Sequence, residues 1–307
     1  QPMKRSWESI LTLSVVHFML YPETQAGGGP VVASIEKLAQ DDFLGAVEIT
    51  RITSPDDRAA VRSIAAQSGL KIGFGAQPAL LSTGLSLNDL DEDGRLRAVE
   101  AIRACIDEAA EMGCARVAFL SGRDPGDADR PRALDALAAS LRTLCAYAGD
   151  KGLALTLETF DRDVDKKSLL GPSDLSAAFA ARMRADYPTF GLMYDLSHMP
   201  LLRENAHEAL TVLQPYLVHM HVGNAVTIPG MPAFGDLHPR FGYSNSANDV
   251  PELIEFLQTL FKIGYLDKKN QGVKPWVGIE VKPQSPETPE LVWAHTKRTW
   301  REAWSAL

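Results

Sequence analysis

The chain has 307 residues, a formal net charge of −8 at pH 7 and a mass of 33.5 kDa. Apolar residues make up 45% and charged residues 23% of it, which is typical of a soluble globular protein and excludes a fibrous or disordered chain. The acidic balance argues against a surface that binds a phosphate backbone, so we expect no nucleic-acid partner. The length suits one α/β barrel or two smaller domains, and we favour a single domain over residues 1–307.

The three cysteines lack the CxxC spacing of a zinc site, lie in or beside helical patterns, and are therefore predicted to be reduced thiols of a cytoplasmic protein. They are Cys105, Cys114 and Cys145. No apolar run reaches about 18 residues, so we expect no membrane contact. Residues 11–20 follow a basic pair, as in a signal peptide, but they include His17 and lack a small-residue cleavage site. We predict that they form the first strand.

Strand-like and helix-like runs alternate along the whole chain. The predicted strands are residues 11–20, 43–50, 70–74, 115–120, 153–158, 190–195, 216–224 and 276–281. Helices between them are predicted where apolar residues recur at spacings of three and four, as at Leu96, Val99, Ile102 and Ile106. This order favours parallel strands joined by crossovers, most simply a (β/α)8 TIM barrel. The competing doubly wound sheet lacks support, because no GxGxxG follows the first strand.

The last inward side chains of predicted strands five to eight are all metal-ligand types: Glu158, Asp195, His221 and Glu280. The carboxyl ends of barrel strands meet at one mouth, so we expect these four to converge. Three carboxylates placed together would repel one another unless a cation neutralised them. Three carboxylates and one imidazole suit Mn²⁺ best, or Mg²⁺, with Co²⁺, Fe²⁺ or Zn²⁺ able to substitute. The alternative is that the acids are helix caps or loop residues that happen to follow strands.

Four motifs resemble, in order and spacing, the xylose isomerase-like barrel superfamily of sugar isomerases, ketose 3-epimerases and AP endonucleases. They are LALTLETFD, GLMYDLSH, VHMHVGN and VGIEVKP, from residues 153, 191, 218 and 277 onward. The resemblance is close over strands five to eight. In the first half of the chain, it rests only on the alternation of predicted strands and helices. It implies that the four converging residues bind one metal ion, and that His198 contacts the substrate or metal-bound water. It also implies that Glu158 and Glu280 act as an acid/base pair.

This implied chemistry agrees with the physics of the residues. A cation that bridges a carbonyl oxygen and the neighbouring hydroxyl stabilises the enediolate formed when a proton leaves the carbon between them. One glutamate can remove that proton and a second can return it. The sequence therefore predicts a metal-dependent sugar isomerase or epimerase acting on a small sugar or sugar derivative.

Two departures from the superfamily bear on the activity. The endonuclease branch has histidines after strands three and four, where this chain has Ala76-Gln77 and Ser121-Gly122, so DNA repair is disfavoured. Asp236-Leu237-His238 does match the Asp-x-His pattern of that branch. It lies in a loop of about 25 residues after strand seven, which we interpret as a lid or binding loop.

The loop from Asp236 to Gly242 also differs from the short Gly-Glu turn of typical ketose epimerases. It resembles the large subunit of C-glycoside deglycosidases, which cleave 3-oxo-C-glycosides, and this resemblance implies a lyase with a small partner subunit as the alternative. A non-catalytic sugar-binding subunit and a homo-oligomer stay open as well. The candidate substrate-binding residues are His198, His238, Arg240, His17 and Glu48, with Gln77 and Lys282 as further residues near strand ends; structural packing or a surface position is the competing interpretation.

Overall fold

The computed structural model describes residues 5–267 and 273–307. Eight parallel strands form a closed barrel in chain order, each paired with its sequence neighbours and the first with the last. The strands are β1 Thr12–Val16, β2 Ala46–Ile49, β3 Lys71–Gly75, β4 Arg116–Leu120, β5 Ala154–Glu158, β6 Gly191–Asp195, β7 Leu217–Val222 and β8 Trp276–Ile279. The predicted (β/α)8 barrel is therefore confirmed.

A helix follows each strand before the next one, and a last helix ends the chain. These helices are α3 Val31–Gln40, α4 Pro55–Ser68, α6 Glu92–Glu111, α7 Arg130–Asp150, α8 Ser173–Arg184, α10 Ala206–Leu213, α11 Val250–Lys262 and α12 Pro289–Ser305; shorter helices are α1 Trp7–Ile10, α2 His17–Leu20, α5 Gln77–Leu81 and α9 His198–Leu202. Their apolar faces pack on the outside of the barrel, as Leu137, Leu141 and Leu144 of α7 do. Among the described helices, none is long and apolar enough to cross a membrane.

The first strand is shorter than the sequence suggests. β1 ends at Val16, which pairs with Glu48 of β2, and the next four residues form α2 instead of continuing the strand. The amide of Tyr21 closes this turn by donating to the carbonyl of His17 at 2.9 Å. A run of apolar residues does not distinguish a strand from a buried helical turn, which explains the error.

Glycines make room inside the barrel for charged side chains. A Cβ on Gly278 of β8 would collide with Glu48 Oε2 and lie 2.7 Å from His221 Cδ2. A Cβ on Gly73 of β3 would lie 3.0 Å from Glu48 Cγ and 3.1 Å from the Trp276 ring. A glutamate and a histidine thus meet on the barrel axis, where most such barrels pack branched apolar residues.

Candidate metal centre

The four predicted ligands meet at the carboxyl end of the barrel. One ligand atom from each of Glu158, Asp195, His221 and Glu280 lies within 4.8 Å of all the others. His221 Nδ1 lies 2.9 Å from Glu280 Oε2, 3.6 Å from Glu158 Oε1 and 3.9 Å from Asp195 Oδ2. The predicted convergence is therefore present. Glu158 and Asp195 are the last residues of β5 and β6, His221 lies one residue before the end of β7, and Glu280 directly follows β8.

Two of these carboxylates have the unsatisfied oxygens that a cation would need. Glu158 Oε1 and Asp195 Oδ2 are buried and have no hydrogen-bond partner among the described residues. Buried acceptors without a donor are rare and cost about 1–3 kcal/mol each. Burial raises the pKa of Asp195 above its ordinary value, although His198 and His238 act to lower it. Oxygen-rich ligands with one imidazole fit a divalent cation of the Mn²⁺ type, and metal binding by these residues stays a prediction.

Glu48 of β2 supports the ligand His221 from the opposite side of the barrel. Its Oε1 lies 3.0 Å from His221 Nε2 and 3.1 Å from His219 Nε2, and its Oε2 accepts the Ser14 hydroxyl at 2.7 Å. Burial would raise the pKa of Glu48, but the two histidines outweigh it and hold that pKa well below the ordinary range. Glu48 lines the cavity floor, as predicted, but its carboxylate is occupied by these partners. An Nε2–H donated to Glu48 leaves His221 Nδ1 to face the other ligands.

A second cluster lies beside the first and is built on Asp236. Its Oδ1 lies 2.8 Å from His238 Nε2 and 3.0 Å from His198 Nε2. Burial would raise the pKa of Asp236, but these two histidines outweigh it and hold that pKa well below the ordinary range. Burial would lower the pKa of His238, but the charges of Glu280 and Asp236 outweigh it and raise that pKa to about 9. His238 Nδ1 has no hydrogen-bond partner in the described chain and lies 4.0 Å from Asp195 Oδ2. Asp195, His198 and His238 form a further group of metal-ligand geometry.

The two histidines of this cluster occupy different places. His238 lines the cavity, as predicted for a residue that binds substrate. His198 is fully buried behind it, and its Nδ1 donates to the Thr159 carbonyl at 2.8 Å. Burial would lower the pKa of His198, but Asp236 and Asp195 hold it well above the ordinary range. His198 therefore supports Asp236 and lies behind the cavity lining, 3.9 Å from Asp195 Oδ2, and its predicted contact with substrate or metal-bound water stays a prediction.

The long loop after β7 is a fixed wall of the site. Asn224 Oδ1 accepts the amides of Ala225 and Asn248 at 2.9 and 2.8 Å, and Asn224 Nδ2 donates to the Arg240 carbonyl. Asn248 Nδ2 donates to the Gly223 carbonyl at 3.0 Å, and both asparagines are buried. These contacts tie the loop to the end of β7, and its role as a lid or binding loop stays a prediction.

Lys166 is a cavity residue that the sequence pattern missed. Its Nζ lies 2.9 Å from Asp236 Oδ2, and its loop is held by Asp161, whose carboxylate accepts the amides of Val164, Asp165 and Lys166 at 2.7 to 2.8 Å. Burial would lower the pKa of Lys166, but the Asp236 charge outweighs it and raises that pKa. Loops have no strand period that places a side chain, although a buried Asp before a polar run is typical of such a turn.

Two predicted substrate-binding residues do not line the cavity. Arg240 Nε donates to Glu287 Oε1 at 2.7 Å, and its guanidinium lies over the Tyr243 ring. His17 Nε2 lies 2.7 Å from the Ser34 hydroxyl, and burial lowers the pKa of His17 to about 4. Both side chains are engaged by neighbouring helices and loops, so the structure does not support their predicted role.

The cavity above the ligands has a volume of about 180 Å³ and opens toward solvent. Glu158, Glu280 and His221 form its floor, and Gln77 donates to Glu158 Oε2 at 2.8 Å. Lys282 also lines it, and no described side chain forms a hydrogen bond or ion pair with its Nζ.

No curated protein matches the chain in sequence. Solved structures are similar to it in fold. A D-tagatose 3-epimerase-like protein has 20% sequence identity and a TM-score of 0.70, and the match covers 96% of this chain and 98% of that one. An L-ribulose 3-epimerase has 16% identity, coverage of 96% and 95%, and a TM-score of 0.72, and the 3-keto-D-glucoside 4-epimerase from E. coli has 15% identity, coverage of 95% and 99%, and a TM-score of 0.66. At such identities they establish the fold alone. The sequence profile described as xylose isomerase-like TIM barrel matches residues 37–303, so the chain belongs to that family.

Proposed function

We propose that the protein is a divalent-metal-dependent sugar epimerase or isomerase. The observation that carries this proposal is that Glu158 and Glu280 line one cavity, and that the buried oxygens Glu158 Oε1 and Asp195 Oδ2 lack a partner among the described residues. The structural neighbours support it, because three of them are named for epimerisation of D-tagatose-type, L-ribulose or 3-keto-D-glucoside substrates. The three cysteines are free thiols, two of them buried, which favours a cytoplasmic location.

One cation, preferably Mn²⁺, would be held by Glu158, Asp195, His221 and Glu280. When bound, it would polarise a sugar carbonyl and the neighbouring hydroxyl, which makes the carbon between them more acidic. The protein positions the remaining groups. Gln77 donates to Glu158 Oε2, and Glu48 holds the His221 ring through Nε2, so that Nδ1 faces the other ligands.

The two glutamates are the groups that can move the proton. One removes it from the sugar carbon and the other returns it, on the same carbon for epimerisation or on the neighbouring one for isomerisation. Lys282, Lys166 and His238 line the walls and can donate hydrogen bonds to sugar oxygens. Phe160 and Leu237 add apolar surface to the same walls.

The test is wash-out of deuterium from C2- or C3-labelled keto sugars by metal-loaded protein. Glu158→Gln and Glu280→Gln should each lower exchange by about 10²–10⁴-fold, because each removes a base. Metal content is measured in the same samples, so that loss of a ligand is separated from loss of a base. Glu302→Gln is the matched control, since Glu302 is exposed on α12 and lines no part of the cavity. Exchange at the wild-type rate in metal-loaded Glu158→Gln or Glu280→Gln would refute the assignment.

A second candidate is a lyase that cleaves 3-oxo-glycosides with the same bases. The loop after β7 favours it, because it brings His238 and Asp236 to the wall of the cavity. Removal of the proton beside a 3-oxo group would let the C1 substituent leave. Free aglycone, released from a 3-oxo-C-glycoside by the protein alone or with a small partner subunit, would select this reaction; deuterium exchange without release would select epimerisation.

A further inference from the structure

A second cavity lies beside the one above the metal ligands, and we call it the outer cavity. It is lined by the loops that follow β3, β4 and β5 and has a volume of about 530 Å³, open toward solvent. Leu81 and Lys166 line both cavities. The two cavities are therefore neighbours, and these two side chains form the border between them.

The lining of the outer cavity suits a ring with an apolar face and polar edges. Leu81 is 45% exposed and Leu90 is 38% exposed, so both offer uncovered apolar surface. Arg123 lines the same space, and its guanidinium forms no ion pair or hydrogen bond within residues 5–267 and 273–307. The neighbouring Asp124 is already paired with Arg130 at 2.7 Å, so it does not neutralise Arg123.

The floor of the outer cavity is preformed. Asn88 is buried, accepts the Gly122 amide through Oδ1 at 2.6 Å and donates through Nδ2 to the Arg123 carbonyl at 3.0 Å. A Cβ at position 122 would collide with Ser86, so only glycine lets the two loops approach this closely. These contacts fix the backbone of Arg123 while its side chain stays free, which is how rigid binding sites present a donor.

We propose that the outer cavity binds a second ring that is linked to the reacting sugar, so that the substrate is a glycoside or disaccharide and not a free monosaccharide. This inference rests on the proposed function for the placement of the reacting ring. Leu81 and Leu90 pack against the face of the second ring, and Arg123 donates to an oxygen on its edge. A second sugar and an aromatic aglycone share this chemistry, and the experiment separates them.

The first measurement compares deuterium exchange in three 3-oxo-β-D-glucosides that carry a methyl, a phenyl or a glucosyl group at C1. The phenyl or the glucosyl compound should exceed the methyl compound in kcat/KM by at least about tenfold, equivalent to about 1.4 kcal/mol. Arg123→Ala should remove most of that preference. The compound with the larger advantage identifies the ring. Equal kcat/KM values for the three compounds would overturn the inference.

The second measurement tests binding without the reaction. Calorimetric titration with phenyl β-D-glucoside, which has no oxo group, should show at least about tenfold weaker binding to Arg123→Ala than to wild type. Arg298→Ala is the matched control, since Arg298 is exposed on α12 and lines neither cavity, and melting curves verify that both variants fold. Binding that depends on Arg123 without any exchange supports the outer cavity and refutes the proposed reaction. If all three compounds exchange deuterium and Arg123→Ala changes neither binding nor the preference among them, binding in the outer cavity is refuted and the proposed reaction stands.

Discussion

Glu48→Gln is the substitution that tests the support of the metal centre from across the barrel. Glutamine keeps the size of Glu48 and removes the charge that faces His219 and His221. In the wild type, His221 Nε2 lies 3.0 Å from Glu48 Oε1. The amide oxygen of the glutamine can still accept from that Nε2, while the amide nitrogen faces the Ser14 hydroxyl. The change therefore replaces charged hydrogen bonds with neutral ones, which are roughly half as strong.

The expected effect is on metal affinity. Replacing the partner of a ligating histidine typically costs about 10–100-fold in metal affinity, or about 1.4–2.7 kcal/mol. We expect the Kd for Mn²⁺ to rise by that factor in Glu48→Gln, and to rise further in Glu158→Gln, where a ligand itself loses its charge.

Isothermal titration of Mn²⁺ into chelator-treated protein measures both values directly. Glu302→Gln serves as the control, because it makes the same chemical change on the exposed surface of α12. A Kd for Glu48→Gln within about threefold of wild type, less than 1 kcal/mol, would refute the idea that Glu48 orients His221.

Three further predictions concern residues around this centre. The pKa of His17 is lowered from 6.5 to about 4, so its contribution to wild-type stability is complete above pH 6.5 and falls by about 2 kcal/mol by pH 5. His17→Gln should therefore lose less stability than wild type over this pH range. Urea unfolding of both proteins above pH 6.5 and at pH 5 would show the difference. Gly278→Ala should lower Tm and weaken Mn²⁺ binding, because its Cβ would collide with Glu48; unchanged melting and titration curves would contradict this. Asp161→Ala should speed amide hydrogen exchange at residues 164–166, measured by mass spectrometry, since their shared acceptor is lost; equal protection in both proteins would argue against that loop contact.

The barrel and the convergence of four ligands were predictable because both follow from periodicity. A strand alternates its faces, so the last inward residue of each strand can be counted from the apolar run, as for Glu158 and Asp195. Parallel strands of a closed barrel then bring those residues to one end whatever their distance along the chain.

What the sequence did not reveal lies where no period applies. Lys166 is placed by a turn around Asp161, and Asp236 by buried contacts of the loop after β7. The pairing of Arg240 with Glu287 depends on two loops that only the tertiary structure brings together. The inward direction of Glu48 was readable from its strand, but its partner His221 on β7 was not.

The contact between Glu48 and His221 also has a consequence for how the protein folds. The two residues are 173 positions apart, on β2 and β7, so their contact forms only once the first and last strands of the barrel have come together. All four ligands come from the last half of the chain, yet their support comes from the first. A bound ion would therefore stabilise the entire ring by about 2.7 kcal/mol at a concentration of 100 times Kd, and its affinity would report whether the two halves have joined.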